Sequence, residues 1–261
     1  AEREVDALVC DSTCATVQGR TPSEGDLIEG LMAAIGGASG RVVVTCFGSN
    51  IARLQTLARC ARDCRRRVAL FGRSLVNNHS AAVSSGHWDP ELTFIDPAHS
   101  GYLPPEEVMV IATGSQGEAR AALSRLTMGD HPFMELTAGD TVIFSSRVIP
   151  GNEEPIDRIK QRLLLDDIKI VEQVLNKPLI HASGHPAQEE LKDMYRWVQP
   201  TTAVPVHGEP QHLEAHADLA RKCGVPRQLR GRNGDLFMLA PVPGLRRSAV
   251  QTGRRVIRRA R

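Results

Sequence analysis

Two of the nine histidines occupy positions from which an α/β protein does chemistry. His185 follows Ser183-Gly184, and His207 opens His207-Gly208-Glu209. Each comes directly after a β-like run and beside a glycine, where loops at strand ends carry working groups. Imidazoles so placed suit metal ligation or proton transfer near neutral pH. A metal site takes three or four ligands, so by spacing alone two histidines on separate strands leave it incomplete. His212 and His216 lie i, i+4 on a helical pattern with Glu209 nearby. A metal face is one reading of that spacing; a satisfied surface pair is the one preferred. His79, His87, His99 and His131 sit in polar, loop-like surroundings and read as solvent-facing.

Three glycine-containing turns, each between a β-like run and a helical pattern, form a second group: Gly48-Ser49-Asn50, Gly72-Arg73-Ser74 and Gly114-Ser115-Gln116-Gly117. Backbone amides and the helix dipole favour anions at such places, and Arg73 adds a planar charged fork suited to phosphate. Ser49, Asn50, Ser74, Ser115 and Gln116 supply neutral donors. Ordinary helix capping accounts for any one turn; the three together leave a phosphate-binding cleft and plain capping evenly matched. None fits the phosphate-loop or dinucleotide fingerprints.

The elements that must position these residues follow α/β grammar, a short β-rich run, a small polar turn and a helical pattern, several times over. Val5–Cys10 leads to Ser23-Glu24-Gly25-Asp26, a capping-box-like helix start, and a helix ending near Gly36-Gly37. Arg41–Phe47 reads as a buried strand. After it, Ile51, Leu54, Leu57, Ala58 and Ala61 recur at helical spacing with arginines on the other face. Val68–Phe71, Val108–Ala112 with a helix over Glu118–Leu126, and Thr141–Ser146 with a charged helix to about Leu165 continue the pattern. Leu179–His181 precedes His185 and the helix Gln188–Val198. Thr202–Val206 precedes a helix from about Gln211 to Cys223, and Gly231-Arg232-Asn233-Gly234 reads as a hairpin turn. The folded body is expected to end near Ala240.

At 261 residues and 41% hydrophobic content, the chain is sized for two domains. No stretch approaches the roughly 18 apolar residues of a membrane span, and the N-terminus lacks a signal-peptide pattern, so the expectation is a soluble, cytoplasmic protein. The six cysteines are scattered and read as reduced thiols. The formal charge of +2 is uneven. Arg246 to Arg261 holds seven arginines and no acid, leaving −5 on the preceding 245 residues. Such a tail suits phosphates, a solvated terminus or a linker equally well, and charge alone establishes no nucleic-acid partner.

Thr113-Gly114-Ser115-Gln116-Gly117-Glu118, Gly139-Asp140-Thr141-Val142-Ile143-Phe144-Ser145-Ser146 with Ile149-Pro150-Gly151-Asn152, His181-Ala182-Ser183-Gly184-His185 and Pro205-Val206-His207-Gly208-Glu209 together resemble the ribonuclease J family. Cys10-Asp11-Ser12-Thr13, Phe47-Gly48-Ser49-Asn50 and Gly72-Arg73-Ser74 fit it as well. The resemblance runs in order from about Val5 to Leu239. It implies a Rossmann-like β-CASP domain inserted into a metallo-β-lactamase αββα fold, with RNA bound between them. On this chain that means residues 1–25 and 188–240 as metallo-β-lactamase parts, 26–187 as the β-CASP domain, and 241–261 as a basic tail or linker. Glu118 matches the acidic first β-CASP motif, His185 the second-motif histidine, and His207 the third-motif histidine that ligates metal. The stretch His181, Ala182, Ser183, Gly184, His185 resembles the one that touches the RNA phosphate near the scissile bond.

Two departures matter. Ala119 stands where the family has proline after the motif glutamate. More seriously, no His-x-His occurs anywhere in the chain, so the family's His-x-His-x-Asp-His signature is absent. The following histidine and the aspartate of the family's Thr-Gly-Asp segment are absent too, and Asp11 is not that aspartate, since Asp11-Ser12-Thr13 matches a later family segment; its preferred role is capping a turn. The simplest account is a longer parent protein with residues before Ala1, and an inactive natural paralogue is the alternative. The resemblance therefore implies a zinc-dependent ribonuclease with two metal ions in the parent, of 5′-to-3′ exonuclease type with endonuclease cleavage as a further mode, in RNA processing or decay. Its expected partners are 5′-monophosphorylated single-stranded RNA and, in the full-length protein, further copies of itself. The rivals are a catalytically dead RNA-binding module and a DNA-directed relative.

Overall fold

The computed structural model describes residues 4–175 and 177–253. Along the chain it places β1 (Ala7–Asp11), α1 (Ile28–Gly36), β2 (Val42–Thr45), α2 (Ile51–Asp63), β3 (Arg67–Phe71), α3 (Arg73–Ser84), β4 (Val108–Ala112) and α4 (Ala122–Thr127). Then come β5 (Thr141–Phe144), α5 (Glu153–Leu165), β6 (Lys169–Val171), α6 (Gln188–Val198), β7 (Thr202–Val206), α7 (Pro210–Lys222), β8 (Arg227–Gln228), β9 (Leu236–Met238) and β10 (Gly244–Arg246). These fall into two compact units, one of residues 22–182 and one of residues 1–21 and 183–261. Among the described residues no helix is long and apolar enough to cross a membrane.

In the 22–182 unit all five strands run parallel in the order β3-β4-β2-β5-β6. The central strands are continuous apolar runs, Val42-Val43-Val44 and Val108-Met109-Val110-Ile111, as strands covered on both faces must be. Their side chains alternate between two cores. Val42, Val44, Met109 and Ile111 pack with Leu31 and Ile35 of α1 and Leu54 and Leu57 of α2. Val43, Val108 and Val110 pack with Leu123 and Leu126 of α4 and Ile156 and Leu163 of α5. The result is an α/β sheet wound on both faces.

Local signals set the helix starts. Ser23 Oγ accepts from the Asp26 N–H at 3.3 Å, and an Asp26 carboxylate oxygen accepts from the Ser23 N–H at 2.7 Å, so the capping box forms. Asn50 caps α2 by accepting from the Arg53 N–H at 2.9 Å. Arg53 departs from the expected solvent-facing arginine row: it is 2% exposed. Its guanidinium donates to both Glu24 oxygens, at 2.6 and 3.0 Å, and to Ser145 O and Oγ at 3.0 and 2.7 Å. Arg59, by contrast, meets Asp89 at the surface with half its side chain exposed.

Other expectations are corrected. No strand forms at Leu179–His181; the fifth strand of the sheet is β6, a three-residue edge strand too short to show alternation. The helix after Thr113 begins at Ala122 rather than Glu118, because the turn folds back on Thr113, whose Oγ1 and O accept from the Ala122 and Leu123 N–H groups at 3.2 and 2.9 Å. The smaller unit holds a parallel sheet β1-β7-β8 and a separate antiparallel pair β9-β10. Gly231–Gly234 is thus no hairpin: it links β8, paired with β7, to β9, paired with β10. Ordered structure also continues past Ala240, since Asp235 accepts from the Ser248 N–H at 2.9 Å and from Arg247 at 2.7 Å. Arginines 254, 255, 258, 259 and 261 of the basic run lie outside the described residues.

Two of the four histidines read as solvent-facing are instead packed. His79 meets Trp88 and Phe94 edge-on, and His131 stacks on Phe71 at 4.2 Å. Nor are His212 and His216 a surface pair, for His216 is fully buried. Burial pushes His131, His181 and His216 down to about 4, helped at His131 by Arg125 and at His181 by Arg53.

Two outcomes are expected. Arg53→Ala leaves the Glu24 carboxylate without its buried partner and destabilises by about 3–5 kcal/mol, whereas Arg59→Ala costs about 0–1 kcal/mol; urea unfolding of both variants measures the contrast. The three depressed histidines bind protons in the unfolded state from about pH 6.5 downward but in the folded state only near 4. Stability is therefore fully present above 6.5 and falls as pH drops toward 4, and urea midpoints across that window should decline less steeply in His216→Gln.

Candidate active site

β1 and β7 pair in parallel with Asp11 opposite Val206, so the residues that follow the two strands, Ser12-Thr13 and His207-Gly208, leave the sheet side by side. Alternation along the extended chain turns Ser12 into the core, fully buried, and Asp11 outward, and Thr13 follows in the turn that Asp11 caps. His207 takes a left-handed φ of +56°, unusual for a residue with a side chain. Thr13 holds it there: its Oγ1 lies 2.9 Å from both the carbonyl oxygen and Nδ1 of His207. Gly208 follows because a Cβ at that position would sit 2.9 Å from His212 Cβ and 3.3 Å from Ser12 Cβ. His185 is carried by the loop into α6. Thr21 donates its hydroxyl to His185 O at 2.8 Å, and Glu190 accepts from the Thr21 and Ala187 N–H groups, both at 2.9 Å.

These elements bring Asp11, His185 and His207 together, with donor atoms within 4.8 Å of one another. One Asp11 oxygen lies 2.9 Å from Nδ1 of each histidine, and the two rings stack at 5.3 Å. The other oxygen accepts from the Thr13 N–H at 2.8 Å. Burial raises the Asp11 carboxyl, but the hydrogen bonds from Thr13 and His185 outweigh it, so the group titrates below its ordinary value. The expectation that Asp11 only caps a turn is corrected: it caps with one oxygen and holds imidazoles with the other.

The hydrogen-bond partners assign the tautomers. A carboxylate only accepts, so His185 carries its proton on Nδ1. His207 Nδ1 lies 2.9 Å from the same carboxylate oxygen, so His207 too carries its proton on Nδ1, with Thr13 Oγ1 2.9 Å from that nitrogen. Both histidines therefore present Nε2 away from Asp11. The open Nε2 of an imidazole suits zinc, and a ligating histidine ordinarily has its second nitrogen held by a carboxylate such as Asp11. His207 is the more open of the two, its side chain 68% exposed.

The 22–182 unit carries the other predicted residues. The turns after β2, β3 and β4 leave the same end of adjacent strands; Gly48 packs against Ser74, and Gly72, at φ +130°, lies so close to Thr113 that a Cβ would clash at 2.4 Å. Their side chains divide. Asn50 is committed to Arg53 and Glu24. Ser115 and Gln116 are buried, and Gln116 bonds Arg147 O and the Ile149 N–H, both at 2.9 Å. Ser49, Arg73, Ser74 and Glu118 remain exposed, Glu118 accepting from the Gln116 N–H at 3.0 Å. His181 Nδ1 lies 3.3 Å from Ser145 O, and Ala182 is buried with its carbonyl facing Arg53 at 3.4 Å. In the other unit, Ser183 Oγ accepts from the His185 N–H at 3.2 Å, and Gly184 is exposed. Thr13 was missed from sequence; its place two residues after Asp11, across from His207, is the signal that marks it.

Comparison with known proteins fits this geometry. Residues 39–163 match the family model for the ribonuclease J β-CASP domain, and residues 172–228 match that for a Zn-dependent metallo-hydrolase RNA specificity domain. The chain is 44% identical to a ribonuclease J of Sinorhizobium meliloti over 93% of its own length and 43% of that protein's. It is 40% identical to one of Mycolicibacterium smegmatis, over 85% and 40%, and 37% identical to a ribonuclease J 1 of Streptococcus pyogenes, over 91% and 43%. It thus spans less than half of each of these relatives. Two domain models in the expected order, and relatives of one name across most of the sequence, lead to one conclusion: the chain belongs to the ribonuclease J family.

Proposed function

We propose that this chain is the RNA-engaging part of a zinc-dependent ribonuclease, its 22–182 unit acting as the β-CASP domain and the flanking unit as part of the metallo-β-lactamase domain. The observation that carries the reading is the pair of stacked imidazoles whose Nδ1 atoms are turned to Asp11 and Thr13, which leaves each Nε2 open. His207 would hold zinc through Nε2, and zinc when bound supplies a Lewis acid and an activated water. In its imidazolium form His185 keeps Nδ1–H on Asp11 and donates from Nε2–H to a phosphate oxygen of the substrate, or gives that proton to the leaving oxygen and returns to the neutral Nδ1–H ring. Exposed Ser49, Arg73 and Ser74 offer donors for phosphates, and His181, Ala182, Ser183 and Gly184 are the stretch assigned to the substrate phosphate; Glu118 acts through the turn whose backbone it holds. Buried Ser115 and Gln116, and Asn50 with its side chain committed to Arg53 and Glu24, shape these turns rather than touching RNA directly. The substrate is single-stranded RNA with a 5′-monophosphate, cut from the 5′ end and internally, by a homo-oligomeric cytoplasmic enzyme.

A second reading has its own observation. With no His-x-His in the sequence, Asp11 turned to the Nδ1 atoms and His185 assigned to the phosphate, His207 alone supplies fewer ligands than a catalytic zinc ion needs. The chain by itself would then bind RNA without cutting it.

The full-length gene product and the present chain, each with wild-type sequence, His207→Ala and Asp11→Asn, decide between these. In the full-length protein, His207→Ala should lose bound zinc and cleavage of 5′-monophosphorylated RNA, and unchanged cleavage would sink the assignment. Asp11→Asn keeps the turn cap but weakens the hold on both imidazoles, and should slow cleavage about 10- to 100-fold. Matched DNA strands test the substrate, and equal rates would move the proposal to a DNA-directed enzyme.

A further inference from the structure

Below the candidate site lies a polar chain that none of the proposed steps uses. Tyr195 of α6 and His216 of α7 meet with Tyr195 OH 2.7 Å from His216 Nε2, and His216 Nδ1 lies 2.8 Å from Ser12 Oγ. All three side chains are 3% exposed or less. Ser12 stands between Asp11 and Thr13, the two residues that hold the imidazoles, and its N–H donates to His207 O at 3.4 Å. Because side chains alternate along a strand and the residue after it, fixing Ser12 inward fixes Asp11 outward, and Thr13 follows in the turn that Asp11 caps.

We infer that Tyr195, His216 and Ser12 form a buried relay of positioning residues that sets the end of β1, and through it the orientation of His185 and His207. The reasoning rests on reading those two histidines as working groups. A buried polar side chain without partners is costly, and an apolar residue of similar size would fill the same space. His216 spans instead from a helix hydroxyl to a serine one residue away from each of the groups that hold the site. Hydrogen bonds at both ring nitrogens restrict its rotation, whereas packing alone would leave Ser12 free to turn. The close approach of Gly208 to Ser12 and His212 extends the same support to the residue after His207.

The test is long-range ¹H–¹⁵N correlation of the imidazoles in the 261-residue chain, with thermal midpoints measured in parallel. Variants are His216→Leu, His216→Gln and Tyr195→Phe. In the wild type, His185 and His207 should show the Nδ1–H tautomer; a different tautomer would count against the proposed roles of Asp11 and Thr13, independently of the relay. His216→Leu should move the ring ¹⁵N shifts of His185 and His207 toward the averaged values of an imidazole with no fixed tautomer, and His216→Gln, which keeps a donor and an acceptor, should restore them in part. Should His216→Leu fail to fold, Tyr195→Phe removes one oxygen only and should broaden the same two signals. Folded variants with lowered midpoints but His185 and His207 signals identical to the wild type would overturn the relay, leaving His216 a packing residue.

Discussion

The parallel pairing of Ala7–Asp11 with Thr202–Val206 joins segments 195 positions apart, and the candidate site exists only where they meet. Closing so long a loop costs on the order of 5 kcal/mol of chain entropy. Five register pairs, the small apolar cluster of Tyr195, Ala203, Ala220 and Val225, and the contacts of residues 17–21 with the start of α6 offset it. Without that pairing, Asp11 and Thr13 would not face His207, and neither imidazole would have a fixed tautomer. The chemistry is therefore a property of two strand ends, not of either alone.

Asp11 concentrates two demands in one carboxylate. Its two oxygens separate them, one serving the local turn and the other the histidines. The larger unit uses charge differently. Arg53 is buried where Glu24, Ser145 and Ala182 all need donors, so one guanidinium fastens α2 to three other segments of its own unit. Arg53 has acceptors for its whole buried guanidinium, which is the condition for tolerating it, while Asp11 stays partly open to solvent.

Much of the α/β plan was legible because long apolar runs and capping residues announce central strands and helix starts, as at Val42–Thr45 and Asn50. β6 was not, since three residues at a sheet edge carry no periodicity. His185 and His207 stood out by their place beside glycine. Asp11 was harder: a carboxylate before Ser-Thr caps a turn in any case, and the second oxygen's partners lie far along the chain. His216 was misread because i, i+4 spacing with His212 defines a helical stripe without saying whether it faces water or the core. Arg53 was misread similarly, as a charged residue whose partners come from other segments. Gln116 and Ser115 looked like ligand donors because amides and hydroxyls that tie loops together are the same groups that bind phosphate.

The split of the smaller unit across both sides of residues 22–182 also has a consequence in time. A ribosome adds roughly 5–20 residues per second, so β1 waits about 10–40 s before β7 is even synthesised. The larger unit is completed within that interval and carries two apolar cores of its own. β1 meanwhile exposes an unpaired edge with Val9 outward, and the pairs of acidic and small polar residues near it, Asp6, Asp11, Ser12 and Thr13, keep a short nascent strand soluble until its partner emerges.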